Sequence, residues 1–140
     1  MPFEIIPHVH IGDANDAIHL SANVGLVVNC TKHLPFYSPE TLQVRIGVED
    51  NGCEVDAIVE YWTDELFHAI ANQINQGKDV LVHCQMGRQR SAATVAAFIM
   101  WALKWPLDRA VEHIRSKKRE AFFPEINFID PLRRFEQSKK

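Results

Sequence analysis

The chain of 140 residues is poor in cysteine: Cys30, Cys53 and Cys84 are the whole complement, and no two stand at metal-ligand spacing. An odd count without such spacing argues against a disulfide framework and a zinc centre, and predicts reduced thiols in a reducing compartment. Long apolar runs are missing as well. GLVVNC and VAAFIMWAL fall well short of the roughly 20 apolar residues of a membrane helix, so no membrane insertion is expected. The opening MPFEIIPHVH lacks the basic-then-apolar plan of a signal peptide, which predicts a cytoplasmic protein with the nucleus as the alternative. There is no internal repeat, no low-complexity tract and no G-x-x-x-x-G-K-[ST] motif, and the last absence excludes a P-loop nucleotide enzyme.

What is present suits one globular domain spanning residues 1–140, with a hydrophobic content of 46% that is ordinary for a packed core. Charge is uneven. Residues 1–64 hold two basic and ten acidic side chains, whereas residues 109–140 hold nine basic and five acidic ones. The basic run RSKKRE is read as a solvated helix end rather than a nucleic-acid site. The sequence carries no signal for or against a second copy of the chain.

EIIPHVHIG is expected to be a first strand with Pro7 inside it, hence at a sheet edge, with His8 and His10 on one face as structural residues. DANDAIHLS has cap-like residues and helical spacing; VGLVVNCT is fully apolar and therefore an interior strand; TLQVRIGVE alternates as a third strand. A polar loop, EDNGCEVD, precedes one long amphipathic helix over VDAIVEYWTDELFHAIANQINQG, ended by Gly77. DVLVHC is a fourth strand, followed by a helix from about Arg90 to Leu103 and another after Pro106, with Pro124 as a breaker. Asp130 and Pro131 are expected to cap and begin a short final helix. Strands alternating with helices predict an α/β domain with a central, mostly parallel sheet flanked by helices, and ligands beyond the carboxyl ends of the strands.

That rule singles out HCQMGRQRS, residues 83–91, where an apolar strand turns into an alanine-rich helix. Backbone N–H groups of a tight turn entering a helix N-terminus converge on a phosphate-sized anion. Gly87 permits close approach of the backbone, with Gln85, Met86, Arg88 and Gln89 completing the wrap, and the planar fork of Arg90 can clamp two oxygens at once. The same positive surroundings favour a thiolate at Cys84 able to attack phosphorus. His83 is expected to orient the turn through hydrogen bonds, and the Ser91 hydroxyl to stabilise the departing thiolate.

At these residues the chain resembles the cysteine-dependent protein phosphatases, whose signature is H-C-x5-R-[ST], and among them the small, atypical dual-specificity phosphatases. EIIPHVHIGDANDA, VVNCT, GVEDN and RREAFFPEINFIDPLRRFE carry the resemblance nearly end to end. It implies a phosphate loop between a central strand and a helix, hydrolysis through a phosphocysteine on Cys84, no metal and no cofactor, and a phosphorylated protein as substrate. It also implies that Asn29 supports the phosphate loop.

The mechanism needs a carboxylic acid at the leaving oxygen, and Glu49, Asp50, Glu54, Asp56 and Asp64 are the upstream candidates. Asp64 is expected inside a helix and Asp56 at its start; Asp50 follows the third strand directly and matches the family's V-x-D position, so it is the first choice and Asp56 the second. The loop interior departs from the family's small residues. Arg88 either adds positive potential for a phosphoinositide or an RNA 5′-triphosphate, or else points to solvent or pairs locally, while Ser91 and Ala92 after the arginine favour the protein-directed branch. A catalytically silent phosphate-binding module is the remaining alternative. Cys30 and Cys53 are read as buried, inert thiols.

Overall fold

The computed structural model describes residues 2–50 and 54–139, so the Asn51-Gly52 turn signal and Cys53 lie outside the described residues. Five strands, β1 (Phe3–Ile6), β2 (Val9–Gly12), β3 (Val24–Asn29), β4 (Leu42–Arg45) and β5 (Asp79–His83), form one sheet in the order β1-β2-β5-β3-β4. β2, β5, β3 and β4 run parallel, and β1 pairs antiparallel to β2. The two most continuously apolar strands, β3 and β5, are interior because both of their faces must be covered.

The helices are α1 (Ala14–Ile18), α2 (Glu54–Ala57), α3 (Asp64–Asn75), α4 (Arg90–Leu103), α5 (Leu107–Lys117) and α6 (Ile129–Ser138). Alternation along the strands divides the side chains: Val9, Ile11, Leu26, Val28, Val80 and Val82 enter the main core with residues of α3 to α6, while Val27 and Leu81 are buried outside it. At the centre, α4 is buried through ten consecutive residues, Ser91–Met100. A helix apolar all round must be packed on every side, and the alanines at 92, 93, 96 and 97 let its neighbours come close. Phe67 meets Phe98 and Phe135 at ring separations of 5.8 Å, tying α3, α4 and α6 together. The mostly parallel, helix-flanked sheet is the one expected from the sequence.

Three local expectations are corrected. The first strand is a hairpin, in which Pro7 and His8 form the turn and His8 adopts φ +74°. His8 therefore does not share a strand face with His10; its Nδ1 lies 2.8 Å from Asp79 Oδ1. The long helix over residues 55–77 is broken into α2, one 3₁₀ turn (Ile58–Tyr61) and α3. The break has a cause: Trp62 turns inward to donate its Nε1–H to Thr94 Oγ1 (3.1 Å), and Thr63, extended at φ −100°, caps α3 by accepting from Leu66 N–H (3.2 Å). Asp64 is thus the first residue of α3, not an interior one, and Asp56 lies within α2 rather than capping it. Finally, α6 begins at Ile129 with Phe128 at its cap, because Phe128 is fully buried; Asp130 and Pro131 fall in the first turn, where proline costs no helical hydrogen bond.

Candidate active site

β5 ends at His83 in the middle of the sheet, and residues 84–89 form the loop that delivers the chain to the N-terminus of α4. Gly87 adopts φ +71°, and a Cβ there would lie 2.8 Å from the carbonyl oxygen of Gly12. The loop is therefore pressed onto the end of β2. Gly12 O also receives Cys84 N–H (3.4 Å), and Ala14 N–H donates to Gln85 O (3.1 Å).

The opposite side of the loop is clamped by the segment between α5 and α6. Phe122 N–H donates to Arg88 O (2.7 Å). The buried Gln89 side chain donates to Phe123 O (3.1 Å) and Glu125 O (2.8 Å) and accepts from Asn127 N–H (3.1 Å). Held from both sides, the loop keeps its shape with no hydrogen bond from the exposed side chains of Gln85 and Met86 among the described residues.

Inside this frame Cys84 is 2% exposed, with its Sγ 3.3 Å from Ser91 Oγ. Arg90 donates from Nη1 to Val48 O (3.0 Å), while its Nε is buried without a hydrogen-bond partner among the described residues. An unpaired guanidinium N–H is costly to bury, so this atom is poised for an acceptor. Thr94 Oγ1 donates to Arg90 O (3.0 Å) and fixes the first turn of α4. The helix dipole adds positive potential at the same place.

Asp50, Cys84, Met86, Arg88, Gln89, Arg90, Phe123, Pro124 and Asn127 line a cavity of about 160 Å³. Of the carboxylates weighed from sequence, Asp50 reaches this cavity; its Oδ1 accepts from Asn127 Nδ2 (3.0 Å). The others are engaged elsewhere: Glu49 faces His33 (3.7 Å), Asp56 pairs with Arg134 (3.3 Å), and Asp64 accepts from Trp101 Nε1 (3.0 Å). The Trp101 bond, helped by Lys139, holds the exposed Asp64 below the usual carboxylate range. Nothing is described of the Glu54 side chain.

Two supporting roles differ from expectation. Asn29 spends its side chain on the loop after β3, donating to Leu34 O (2.8 Å) and accepting from Thr31 N–H and Oγ1–H (3.1 and 2.6 Å), so it does not bond the 84–90 loop. Its backbone is what lies beside the site: Asn29 pairs with His83 in the β3–β5 ladder, and Cys30 N–H donates to His83 O (2.8 Å). The His83 ring is 1% exposed, and neither of its nitrogens meets a partner at full hydrogen-bond geometry among the described residues. Burial lowers its pKa below the ordinary 6.5, with the adjoining Cys84 backbone acting the other way. The His83 ring bears on the turn through its burial beside the Cys84 backbone. Cys30, also fully buried, has its thiol pKa pushed up by burial and by the neighbouring Cys84, which fits the inert role read from sequence.

Arg88 takes the paired alternative, with a partner that the sequence did not name: its Nη2 lies 2.8 Å from Glu120 Oε2. The pairing turns its charge toward a partner on the chain. Gln89 and Asn127 were missed as structural participants, since both act across more than 30 residues of sequence. Exposed Met86 (59%) and Phe123 (60%) stand as apolar lips at the cavity mouth.

A sheet of this order with a cysteine-arginine loop at the helix N-terminus is the architecture of a cysteine-dependent phosphatase. The chain matches the family model described as "Dual specificity phosphatase, catalytic domain" over residues 10–138, and it belongs to that family. It is 33% identical over 136 residues to the protein phosphatase Slingshot of Drosophila melanogaster, covering 94% of this chain and 13% of that protein. It is 31% identical over 143 residues to human dual specificity protein phosphatase 1, covering 96% of this chain and 37% of that protein. The chain thus spans well under half the length of these relatives. In fold it is similar to human DUSP28, with a TM-score of 0.87 at 24% identity over 99% of this chain and 94% of the other.

Proposed function

We propose that this chain hydrolyses phosphate monoesters of proteins, with phosphotyrosine as the preferred residue and phosphoserine and phosphothreonine as possible further substrates. The observation that carries this is the meeting of Cys84, the unpaired Arg90 Nε and Asp50 in one small cavity at the N-terminus of α4. The Arg90 fork and the loop N–H groups hold the phosphoryl oxygens, as they would any tetrahedral dianion.

In the first step the Cys84 thiolate attacks phosphorus, the P–O ester bond breaks, and the Asp50 carboxyl gives its proton to the leaving oxygen. In the second step water attacks the phosphocysteine, Asp50 takes a proton from that water, and the S–P bond breaks to return the thiolate. Ser91, whose Oγ lies 3.3 Å from Sγ, stabilises the departing thiolate with a hydrogen bond and keeps its own proton. The sum is ester plus water giving alcohol and phosphate, with no metal required.

Two features support an aromatic phosphoester on a protein. The Met86 and Phe123 lips offer apolar surface to a ring, and Arg88, paired with Glu120, is not held out for a multiply charged headgroup or triphosphate. The test is a panel of phosphotyrosyl and phosphothreonyl peptides, phosphoinositides and triphosphorylated RNA, with Cys84→Ser as control. Vanadate-sensitive hydrolysis that prefers phosphotyrosine and vanishes in Cys84→Ser is expected. Preference for the lipid or RNA overturns the substrate class, and activity retained by Cys84→Ser overturns the thiol chemistry.

A further inference from the structure

We infer that Asn127 is a positioning residue that sets the carboxyl of Asp50 over the reacting phosphoester and ties it to the loop that holds the phosphate. The inference rests on the phosphatase reading and on Asp50 as its acid. Asp50 lies in the segment after β4, two residues beyond Val48, in a loop with no regular backbone ladder of its own. An acid in such a segment has to be held in place if its proton is to arrive at the leaving oxygen, because small misplacements of a reacting group are costly.

The structure supplies that hold through one residue with two attachments. The backbone N–H of Asn127 donates to Gln89 Oε1 (3.1 Å), and Gln89 is a buried member of the phosphate loop. Its Nε2 donates to Phe123 O and Glu125 O, so the whole 123–127 segment is bound to the loop by a single side chain. The side chain of Asn127 then donates Nδ2–H to Asp50 Oδ1 (3.0 Å), across 77 residues of sequence. Phosphate loop and acid are thereby brought into one frame.

The residue type fits the task. A neutral amide orients the carboxyl without placing a second cation beside Arg90 or a second anion beside the phosphate. With Oδ1 engaged by Asn127, Oδ2 makes no hydrogen bond among the described residues and is the oxygen left to carry and recover the proton. Asn127 is exposed and bonds through its side chain to Asp50, so its replacement leaves the core untouched.

The experiment compares kcat/KM, which reports the step up to P–O cleavage, on phenyl phosphate and on p-nitrophenyl phosphate. The nitrophenolate leaves with little help from an acid, whereas the phenolate needs its proton. Asn127→Ala is expected to lower kcat/KM about five- to tenfold on phenyl phosphate, the worth of one lost hydrogen bond, and less than twofold on p-nitrophenyl phosphate. Inhibition by inorganic phosphate should stay within twofold of the wild type. Asp50→Ala should show the same pattern more strongly, and adding Asn127→Ala to it should cost nothing more, since the two act as a unit.

Equal losses on both substrates, or additive losses in the double variant, overturn the role of Asn127 while leaving the phosphatase reading intact. Activity retained by Cys84→Ser would instead remove the phosphatase reading itself. A wild-type rate on phenyl phosphate in Asp50→Ala would remove the acid, and with it the reason for Asn127.

Discussion

Gly87 rests on Gly12: the hydrogen that stands in for a side chain at 87 faces the Gly12 carbonyl oxygen, where a Cβ would come within 2.8 Å. Because the obstacle is the backbone at the end of β2, no side-chain rotation can relieve it. Gly87→Ala must push the loop off β2 and also place a non-glycine residue at φ +71°. The backbone strain costs about 1–3 kcal/mol of stability. The displacement of the loop lowers kcat/KM on the order of 10²-fold. Urea denaturation and steady-state kinetics on one preparation measure both; a variant with wild-type turnover would mean that loop shape does not depend on this contact.

Arg90 uses one nitrogen on Val48 O and keeps another unpaired, so its fork does two jobs at once. Arg90→Lys keeps the charge and loses the geometry. It is expected to lower kcat by about 10²–10³-fold, the usual size for removing one donor that faces transition-state charge. It is also expected to weaken inhibition by inorganic phosphate. Near-normal kinetics in the lysine variant would show that charge alone suffices.

His83 predicts a pH dependence of stability. Its pKa in the folded protein is lowered by burial from the ordinary 6.5, so above pH 6.5 the ring is neutral in both folded and unfolded chains and contributes no slope. As pH falls below 6.5, the unfolded chain takes a proton that the folded ring refuses, and stability is lost until the folded pKa is reached. Within that window the loss is at most about 1.4 kcal/mol per pH unit. His83→Asn should flatten the difference between urea midpoints measured at pH 7.5 and pH 5.5. Matching slopes in variant and wild type would assign the acid sensitivity to other groups.

Glu120 predicts a change in substrate preference. Its pair with Arg88 is largely exposed and therefore worth no more than about 1 kcal/mol, so releasing it leaves the fold intact. Glu120→Ala frees the Arg88 charge at the cavity mouth. KM for a doubly phosphorylated peptide should fall about two- to threefold relative to the singly phosphorylated one, a shift within that energy. An equal change on both peptides would show that Arg88 does not face the substrate even when unpaired.

The chemistry of this site was legible because it is local. Cys84, Gly87, Arg90 and Ser91 sit on one turn, and an apolar strand before them and small residues after them fix how that turn must run. The interior places of β3 and β5 followed from their unbroken apolar runs. Asp50 was singled out by its place after the expected strand TLQVRIGVE and by the family's V-x-D position, whereas β4 ends at Arg45 and Asp50 lies in the loop beyond it. The helix over residues 55–77 misled because its apolar spacing continues through Trp62 and Thr63; only the pull of Thr94 on the Trp62 indole shows where it breaks.

The amino-acid sequence by itself determined the α/β frame and singled out Cys84 and Arg90 as the proposed nucleophile and anion clamp, since these readings depend on residue type and on spacing along single strands and turns. The tertiary structure alone decided what holds them. Gln89 grips the 123–127 segment, Asn127 reaches Asp50, Glu120 takes up Arg88, and Asn29 serves a different loop from the one expected. Three of the four are side-chain contacts between segments 30 or more residues apart, which form only when the packed core sets those segments side by side.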